Sequence, residues 1–218
     1  MSTPIDLETW PRRAAYEFFR GFDDPFFNLC SRVDVRRTRA WCQERGASFF
    51  LASLHAGLRA VHRVEALRLR TRGDEVVRCE RVNGGSTVLN PDESFSFVYF
   101  TYRPELAEFV ADAQAVLDAH HRAGPSFAPG ETDEIIHFSV IPWVHFTSVS
   151  HARNHRTGES VPKIIFGRFQ EEGDRCPLPV SIEVHHALVD GLHVGQFFAA
   201  LQAAFDDPEG EQALPMGL

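Results

Sequence analysis

Residues 181–193 carry the sequence SIEVHHALVDGLH, which decides the fold prediction for the rest of the chain. From Val180 to His186, apolar side chains alternate with polar ones, as they do on a β-strand. The alternation places His186 on the apolar face and His185 on the opposite face. The strand pattern then breaks at Asp190 and Gly191, and apolar residues return at helical spacing in Leu192, Phe198, Leu201 and Phe205. The sequence therefore predicts a strand, a turn and a helix, with His186 just before the turn.

This pattern makes His186 a candidate catalytic residue. A histidine on an apolar face loses contact with water, which favours the neutral imidazole that can accept a proton from a substrate. A lone histidine on such a face is more often a hydrogen-bonded core residue. Here the neighbours His185, Asp190 and Gly191 favour His186 as a catalytic base, because polar residues that cost free energy to bury cluster at the end of an apolar strand.

A metal site is an alternative use of these side chains. His185, His186, Asp190 and His193 include ligand types that bind zinc. Adjacent strand residues point to opposite faces, however, so the two adjacent histidines do not face one ion. The set also lacks well-spaced third and fourth ligands, and we therefore predict no metal.

Length and composition limit the function classes. The 218 residues fit a single domain, residues 1–218, and an apolar share of 44% is ample for a core. A formal charge of -8 disfavours nucleic acid or an acidic membrane as a partner, because those bind clustered positive charge. The four cysteines are scattered without a Cys-x-x-Cys pair, which is typical of free thiols in a reducing compartment. Without a signal pattern or a membrane-length apolar run, the expected location is the cytoplasm.

Periodicity and turn residues predict both helices and strands. Helices are expected at residues 11–20, 38–46, 48–64, 104–122 and 192–206. Strands are expected at residues 27–33, 67–69, 75–81, 86–89, 95–100, 135–141, 143–149, 163–169 and 179–186. Thr38 and Ser48 are expected to cap two of the helices, Gly84 and Gly85 to separate two strands, and residues 172–174 to turn a hairpin. The mixture predicts an α+β protein with helices packed on a mixed, largely antiparallel sheet.

Three segments, in order along the chain, resemble the chloramphenicol acetyltransferase family. Residues 184–193, VHHALVDGLH, are similar to the family's active-site motif, with Val189 where cysteine is usual and Leu192 where an aromatic residue is usual. Residues 142–148, PWVHFTS, are similar to its Pro-Trp-Val-x-Phe-x-Ser segment, and residues 10–20 resemble its opening helix. The shorter His-His-x-x-x-Asp-Gly motif is shared more loosely with dihydrolipoamide acyltransferases and peptide-synthetase condensation domains.

The resemblance implies the coenzyme A-dependent acyltransferase fold, a two-layer α/β sandwich, and a role for several residues. It implies His186 as the general base and Ser148 as the donor of a hydrogen bond to the oxyanion. It also implies that Asp190 pairs with Arg12 and holds the turn, rather than completing a catalytic triad.

The resemblance further places walls of the acceptor pocket at Phe18, Phe19, Phe27, Phe97 and Ile165. Two of these depart from the family, because Phe19 stands where tyrosine is usual and Ile165 where threonine is usual. His145 stands where the family often has asparagine. Both pocket changes remove a hydroxyl that could hold the acceptor or a water molecule.

The leading hypothesis is an enzyme that moves an acetyl group from acetyl-CoA to a hydroxyl of chloramphenicol. The family implies a homotrimer with active sites between subunits, in which His186 of one chain faces pocket walls of its neighbour. Two alternatives stay open. One is the same chemistry on a different alcohol or thiol acceptor, and the other is a non-catalytic protein that binds an aromatic ligand.

Overall fold

The computed structural model describes residues 1–130, 132–153 and 159–210. A short 3-10 helix covers Glu65–Arg68. The other elements of this part of the chain are, in order, β1 (Ser2–Pro4), α1 (Arg13–Phe19), β2 (Phe26–Asp34), α2 (Arg36–Arg45), α3 (Phe49–Arg63), β3 (Leu69–Arg72), β4 (Glu75–Cys79), β5 (Asn83–Leu89), β6 (Phe95–Phe100), α4 (Leu106–Ala123), β7 (Ile135–Val140), β8 (Lys163–Phe166), β9 (Pro177–His185) and α5 (Gly191–Asp206). No helix within these described ranges is long and apolar enough to span a membrane.

The larger of two sheets has six strands in the order β2-β9-β8-β7-β5-β6. The β5–β7 and β7–β8 pairs are parallel, and the β2–β9, β8–β9 and β5–β6 pairs are antiparallel. The sheet is therefore mixed, and the predicted α+β fold class is confirmed. The ladder between β2 and β9 runs from the pair Phe26 and His185 to the pair Asp34 and Pro177.

Helices pack on one face of this sheet. α3 and α5 contact each other, and α4 contributes to the same apolar core. α3 carries its apolar residues at helical spacing, as expected for a helix that buries one side, and its fully buried leucines are Leu51, Leu54 and Leu58. The residues of β9 that face this core are Val180, Ile182 and Val184.

The second face of β9 is buried as well, although it is polar. Ser181, Glu183 and His185 are only 0%, 7% and 8% exposed. A sheet with antiparallel pairs commonly leaves its polar face to solvent. Here that face is buried, so its polar groups need hydrogen-bond or ion-pair partners from elsewhere in the chain. The partners include Asn28, whose side-chain amide donates to Ser181 at 2.6 Å, and Arg153, which pairs with Glu183.

A smaller sheet, in the order β1-β4-β3, is joined to the larger one through Arg70. Arg70 is 0% exposed. Its guanidinium donates to the backbone carbonyls of Asp133, Leu67, Leu69 and Ile135 at 2.7–3.0 Å. Burial lowers the pKa of Arg70 to about 10, so the side chain stays charged at neutral pH and its hydrogen bonds are charge-assisted.

Several element predictions are confirmed. Ser48 caps α3 and accepts a hydrogen bond from the backbone N–H of Leu51 at 3.4 Å. β8 and β9 form the predicted antiparallel hairpin. Its turn contains Gly173 at a φ of 61°, a conformation that glycine adopts without steric cost.

Three predictions are wrong, because contacts between distant parts of the chain override the local signals. Thr38 lies inside α2 rather than capping it, because its hydroxyl donates to the carbonyl of Phe205 at 2.7 Å. Gly84 and Gly85 lie within β5, and a Cβ at Gly85 would meet the Tyr99 ring at 2.9 Å. Residues 143–149 form no strand, since only Val144 bonds backbone to backbone with the chain after β8, at Arg168. β1 was not predicted, because its three residues carry no alternation.

We expect Arg70→Met to destabilise the protein by roughly 2 kcal/mol or more, because four buried carbonyls lose their donor while the apolar stem is kept. The measurement is urea unfolding followed by far-UV circular dichroism. The matched control is Arg103→Met, which removes an exposed ion pair with Asp112 and should change stability by less than about 1 kcal/mol. Equal stability losses in the two variants would contradict the role given to Arg70.

Candidate active site

His186 follows the last residue of β9 and is held on three sides. Its backbone N–H donates to the carbonyl of Pro25 at 2.7 Å. The imidazole stacks on Phe19 at a centroid distance of 3.9 Å and an angle of 8°, and it contacts Phe27 at 4.7 Å. These contacts fix both the position and the plane of the ring.

The hydrogen bond of the His186 ring assigns its tautomer. Nδ1 lies 3.2 Å from the carbonyl oxygen of Val189. A carbonyl only accepts, so Nδ1 of the neutral ring carries the proton and the lone pair is on Nε2. Val189 contributes through its backbone, which is independent of the side chain at that position. The result is an oriented imidazole whose free nitrogen can accept a proton.

His185 lies on the other face of the strand and has a different environment. It contacts Phe26 at 5.0 Å, and its Nδ1 accepts a hydrogen bond from the backbone N–H of Ala187 at 3.2 Å. Burial lowers the pKa of His185 to about 4, so it is neutral at physiological pH. The alternation places His186 on the buried, apolar face, but His186 is the more exposed of the two histidines, because β9 ends before it.

The two adjacent histidines therefore face different sides of the sheet, which removes the basis for a shared metal ion. Within the described ranges, no group of three or more His, Cys, Asp or Glu side chains is arranged to hold a metal.

The turn after His186 is fixed by Asp190 and Arg12. Asp190 caps α5 by accepting from the backbone N–H of Leu192 at 3.0 Å, and His193 completes a capping box. A guanidinium nitrogen of Arg12 pairs with the Asp190 carboxylate, and its second nitrogen donates to the carbonyl of His186 at 3.4 Å. One arginine thus joins the residue that carries the imidazole to the start of the following helix.

The electrostatics of Asp190 match this structural arrangement. Burial alone would raise the pKa of its carboxyl, but His193 and Arg12 outweigh burial and hold the pKa below its usual value. The Asp190 carboxylate accepts hydrogen bonds from Arg12 and from the backbone N–H of Leu192, and the Asp190 backbone N–H donates to Nδ1 of His193 at 3.1 Å. The nitrogen of the His186 ring that would face a triad carboxylate is instead bonded to Val189. The contacts describe a turn-holding residue.

Ser148 lies outside this cluster. It is exposed, in the segment between β7 and β8. A few residues later, Arg153 is paired with Glu183, on the sheet face opposite the His186 ring. In the described part of the chain, no hydrogen bond or ring contact joins Ser148 to His186.

The residues implied as pocket walls fall into two groups. Phe19 and Phe27 contact His186, and Phe18 contacts Phe19 at 5.0 Å while remaining 64% exposed. Phe97 is in β6, four strand spacings from β9, or ~19 Å at the usual spacing. Ile165 pairs with Ser181 on the polar sheet face and is 3% exposed.

A cavity of about 1130 Å³ lies beside the segment that leads to Ser148. Its walls are largely apolar and aromatic, with Arg168 and Glu171 as charged residues, and they include Phe49, Phe50, Pro142, Trp143, Phe166 and Phe169. Sequence reasoning missed this site, although two adjacent phenylalanines directly after the Ser48 cap are a signal of aromatic side chains at a helix end. Ordinary ligand pockets are of this size or smaller.

Comparisons with known proteins agree along nearly the whole chain. The family model described as chloramphenicol acetyltransferase matches residues 1–202. Chloramphenicol acetyltransferase 2 from Escherichia coli is 31% identical, with 94% of this chain and 97% of the relative covered. Chloramphenicol acetyltransferase from Streptomyces acrimycini is 32% identical, with 94% of each covered.

Solved structures agree with this result. A chloramphenicol acetyltransferase structure superposes with a TM-score of 0.86 at 26% identity, covering 93% of this chain and 99% of that one. A probable dihydrolipoamide acetyltransferase from Listeria monocytogenes has a TM-score of 0.63 at 16% identity, with 97% of both chains covered. At that identity the second likeness concerns the fold alone.

We expect coupled stability losses at Arg12 and Asp190. In a double-mutant cycle of Arg12→Met and Asp190→Asn, each single change leaves a partly buried charge without its partner, and the double change removes both charges. The loss of stability in the double variant should therefore be smaller than the sum of the two single losses, by a coupling energy of ~1 kcal/mol. Thermal unfolding of the four proteins measures it, and additive losses would show that the pair contributes no net interaction.

Proposed function

The chain belongs to the chloramphenicol acetyltransferase family, and from this premise we propose that it transfers the acetyl group of acetyl-CoA to a hydroxyl of chloramphenicol. The observation that carries the proposal is the His186 imidazole. It is fixed between Phe19 and Phe27, with Nδ1 on the Val189 carbonyl and Nε2 free to accept a proton. A base in this state is what an alcohol needs in order to attack a thioester.

In the proposed mechanism, Nε2 of His186 takes the proton of the acceptor hydroxyl as its oxygen attacks the thioester carbonyl. The tetrahedral intermediate carries a negative oxygen, to which the Ser148 hydroxyl donates a hydrogen bond. Collapse of the intermediate breaks the carbon–sulfur bond, and the imidazolium returns the proton to the leaving sulfur. Asp190 and Arg12 take no proton and hold the turn that presents the ring.

The cavity beside Trp143 is the site we propose for acetyl-CoA. An apolar, aromatic lining suits the pantetheine arm, and Arg168 offers a positive charge to the phosphates. The cavity lies next to the segment of Ser148, so the thioester would arrive near the group that stabilises its oxyanion.

We propose that the enzyme is a homotrimer with active sites between subunits. Among the described residues no contact joins Ser148 to His186 within one chain, and Phe97 lies four strands from β9, whereas Phe19 and Phe27 contact His186. Each chain thus presents two different half-sites. Pairing a half-site of one copy with the complementary half-site of the next, around a threefold axis, uses both.

A second acceptor class is supported by Phe19 and Ile165. Phe19 stacks on the catalytic ring and Ile165 is buried, and neither side chain carries a hydroxyl. The pocket therefore suits an aromatic alcohol or thiol without a polar contact at these two positions. Release of free thiol from acetyl-CoA, with chloramphenicol and with other alcohols, decides between the acceptors, and no acceptor-dependent release would favour a binding protein. The free cysteines support a cytoplasmic location for this activity.

His186→Ala should abolish acetyl transfer while leaving the fold intact, because the change removes the base from a partly exposed position. A positioned histidine contributes ~10²–10⁴ in rate. The comparison is His185→Ala, which removes a buried ring on the other face and should lower thermal stability more than kcat. Retention of most of the wild-type kcat in His186→Ala would remove His186 from the mechanism.

Ser148→Ala should lower kcat by ~10² with a smaller change in KM, because the oxyanion exists only along the reaction path. When Ser148→Ala chains are co-expressed with His186→Ala chains, roughly a quarter of the active sites in randomly assembled trimers should combine an intact His186 with an intact Ser148. The activity of the mixture should therefore rise to roughly a quarter of the wild-type activity. Co-expression of the double variant with His186→Ala is the control, and no recovery in the mixture would contradict a site shared between chains.

A further inference from the structure

Arg153 is a buried cation in the segment that follows Ser148. Its side chain is only 2% exposed. The guanidinium donates through Nε to Glu183 and through Nη2 to the carbonyl of Val161 at 3.1 Å, and Nη1 is 3.5 Å from Glu159. Burial of a charged group on this scale is costly unless it is paired, so these contacts constrain the position of the side chain strongly.

The guanidinium of Arg153 also rests on the strand pair that carries the catalytic base. Its central carbon lies 3.7 Å from the centroid of the Phe26 ring. Phe26 is adjacent to Phe27, which contacts His186, and Glu183 lies on β9 close to its end. Arg153 therefore packs on one face of the β2–β9 pair while His186 uses the other.

The backbone around Arg153 is fixed by a second cation. The ammonium group of Lys163 donates to the carbonyl of Ala152 at 2.8 Å. Lys163 and Arg153 both approach Glu159, at 3.9 and 3.5 Å. The chain that leaves Ser148 thus reaches an anchor within a few residues, although Ser148 itself lies in a segment without regular strand pairing.

From this arrangement we infer that Arg153 is a positioning residue for acetyl transfer, which holds the Ser148 segment against the strand that carries His186. The inference rests on the proposed function, in which Ser148 stabilises the oxyanion. A loosened anchor would leave Ser148 present but displaced, and a displacement of about 1 Å at a reacting group can cost as much as 10²-fold in rate.

The test is a kinetic cycle on Arg153 and Ser148. Arg153→Met should lower kcat by ~10-fold or more, with little change in the KM for chloramphenicol. In a Ser148→Ala background the same change should lower kcat by less than about twofold, because the group that Arg153 positions is already gone. Arg103→Met, which breaks an exposed ion pair with Asp112, is the control and should leave kcat unchanged.

A companion variant separates positioning from folding. Arg153→Met leaves Glu183 buried without its partner, whereas Arg153→Met combined with Glu183→Gln removes that charge and should recover thermal stability. If Arg153 positions Ser148, kcat of this combined variant stays low. Wild-type kcat in the combined variant would overturn the inference, since stability alone would then explain the loss.

The cycle also separates failure of the positioning role of Arg153 from failure of the proposed function of Ser148. Equal losses of kcat in the wild-type and Ser148→Ala backgrounds overturn the role of Arg153 and leave that of Ser148 intact. If Ser148→Ala itself has the wild-type kcat, the oxyanion role of Ser148 fails, and the positioning role falls with it.

Discussion

The ladder between β2 and β9 is the constraint on which the candidate site depends. Antiparallel pairing sets Phe26 opposite His185 and Phe27 opposite Val184, and the pleat sends consecutive side chains to opposite faces. One aromatic residue of β2 therefore serves each histidine, Phe26 for His185 and Phe27 for His186. A shift of one residue in this register would exchange the two environments, which would bury the imidazole that is partly exposed at the end of β9.

The sequence predicted the elements whose signals are local. The cap at Ser48, the hairpin of β8 and β9 and the strand–turn–helix around His186 depend on neighbours within a few residues, and the structure contains each of them. The pair Gly84 and Gly85 predicts a break between two strands, but both residues lie within β5. The need for glycine there comes from a tertiary contact. The aromatic ring of Tyr99 occupies the space that a side chain at Gly85 would need.

For the same reason, some residues of the candidate site were predicted and others were missed. Arg12 pairs with Asp190, as the resemblance implied, whereas Phe19 and Phe27 contact the His186 ring of their own chain. The catalytic roles of these residues stay predictions. No local signal marks Arg153 in the sequence, since its partner Glu183 is distant along the chain. Polar residues on a strand face give no indication of which loop covers them.

Two buried arginines show how the fold uses charge away from the chemistry. Arg70 satisfies backbone carbonyls where the two sheets meet, and Arg153 neutralises a carboxylate on the polar face of β9. Both faces of β9 are thus filled, one by helices and one by ion pairs. The strand beneath His186 is held from both sides, and Arg153 on its polar face follows Ser148 in the same segment between β7 and β8. Under the proposed sharing of sites between subunits, each chain gives its base to one site and its oxyanion donor to another. The packing of a single strand then determines the geometry of both.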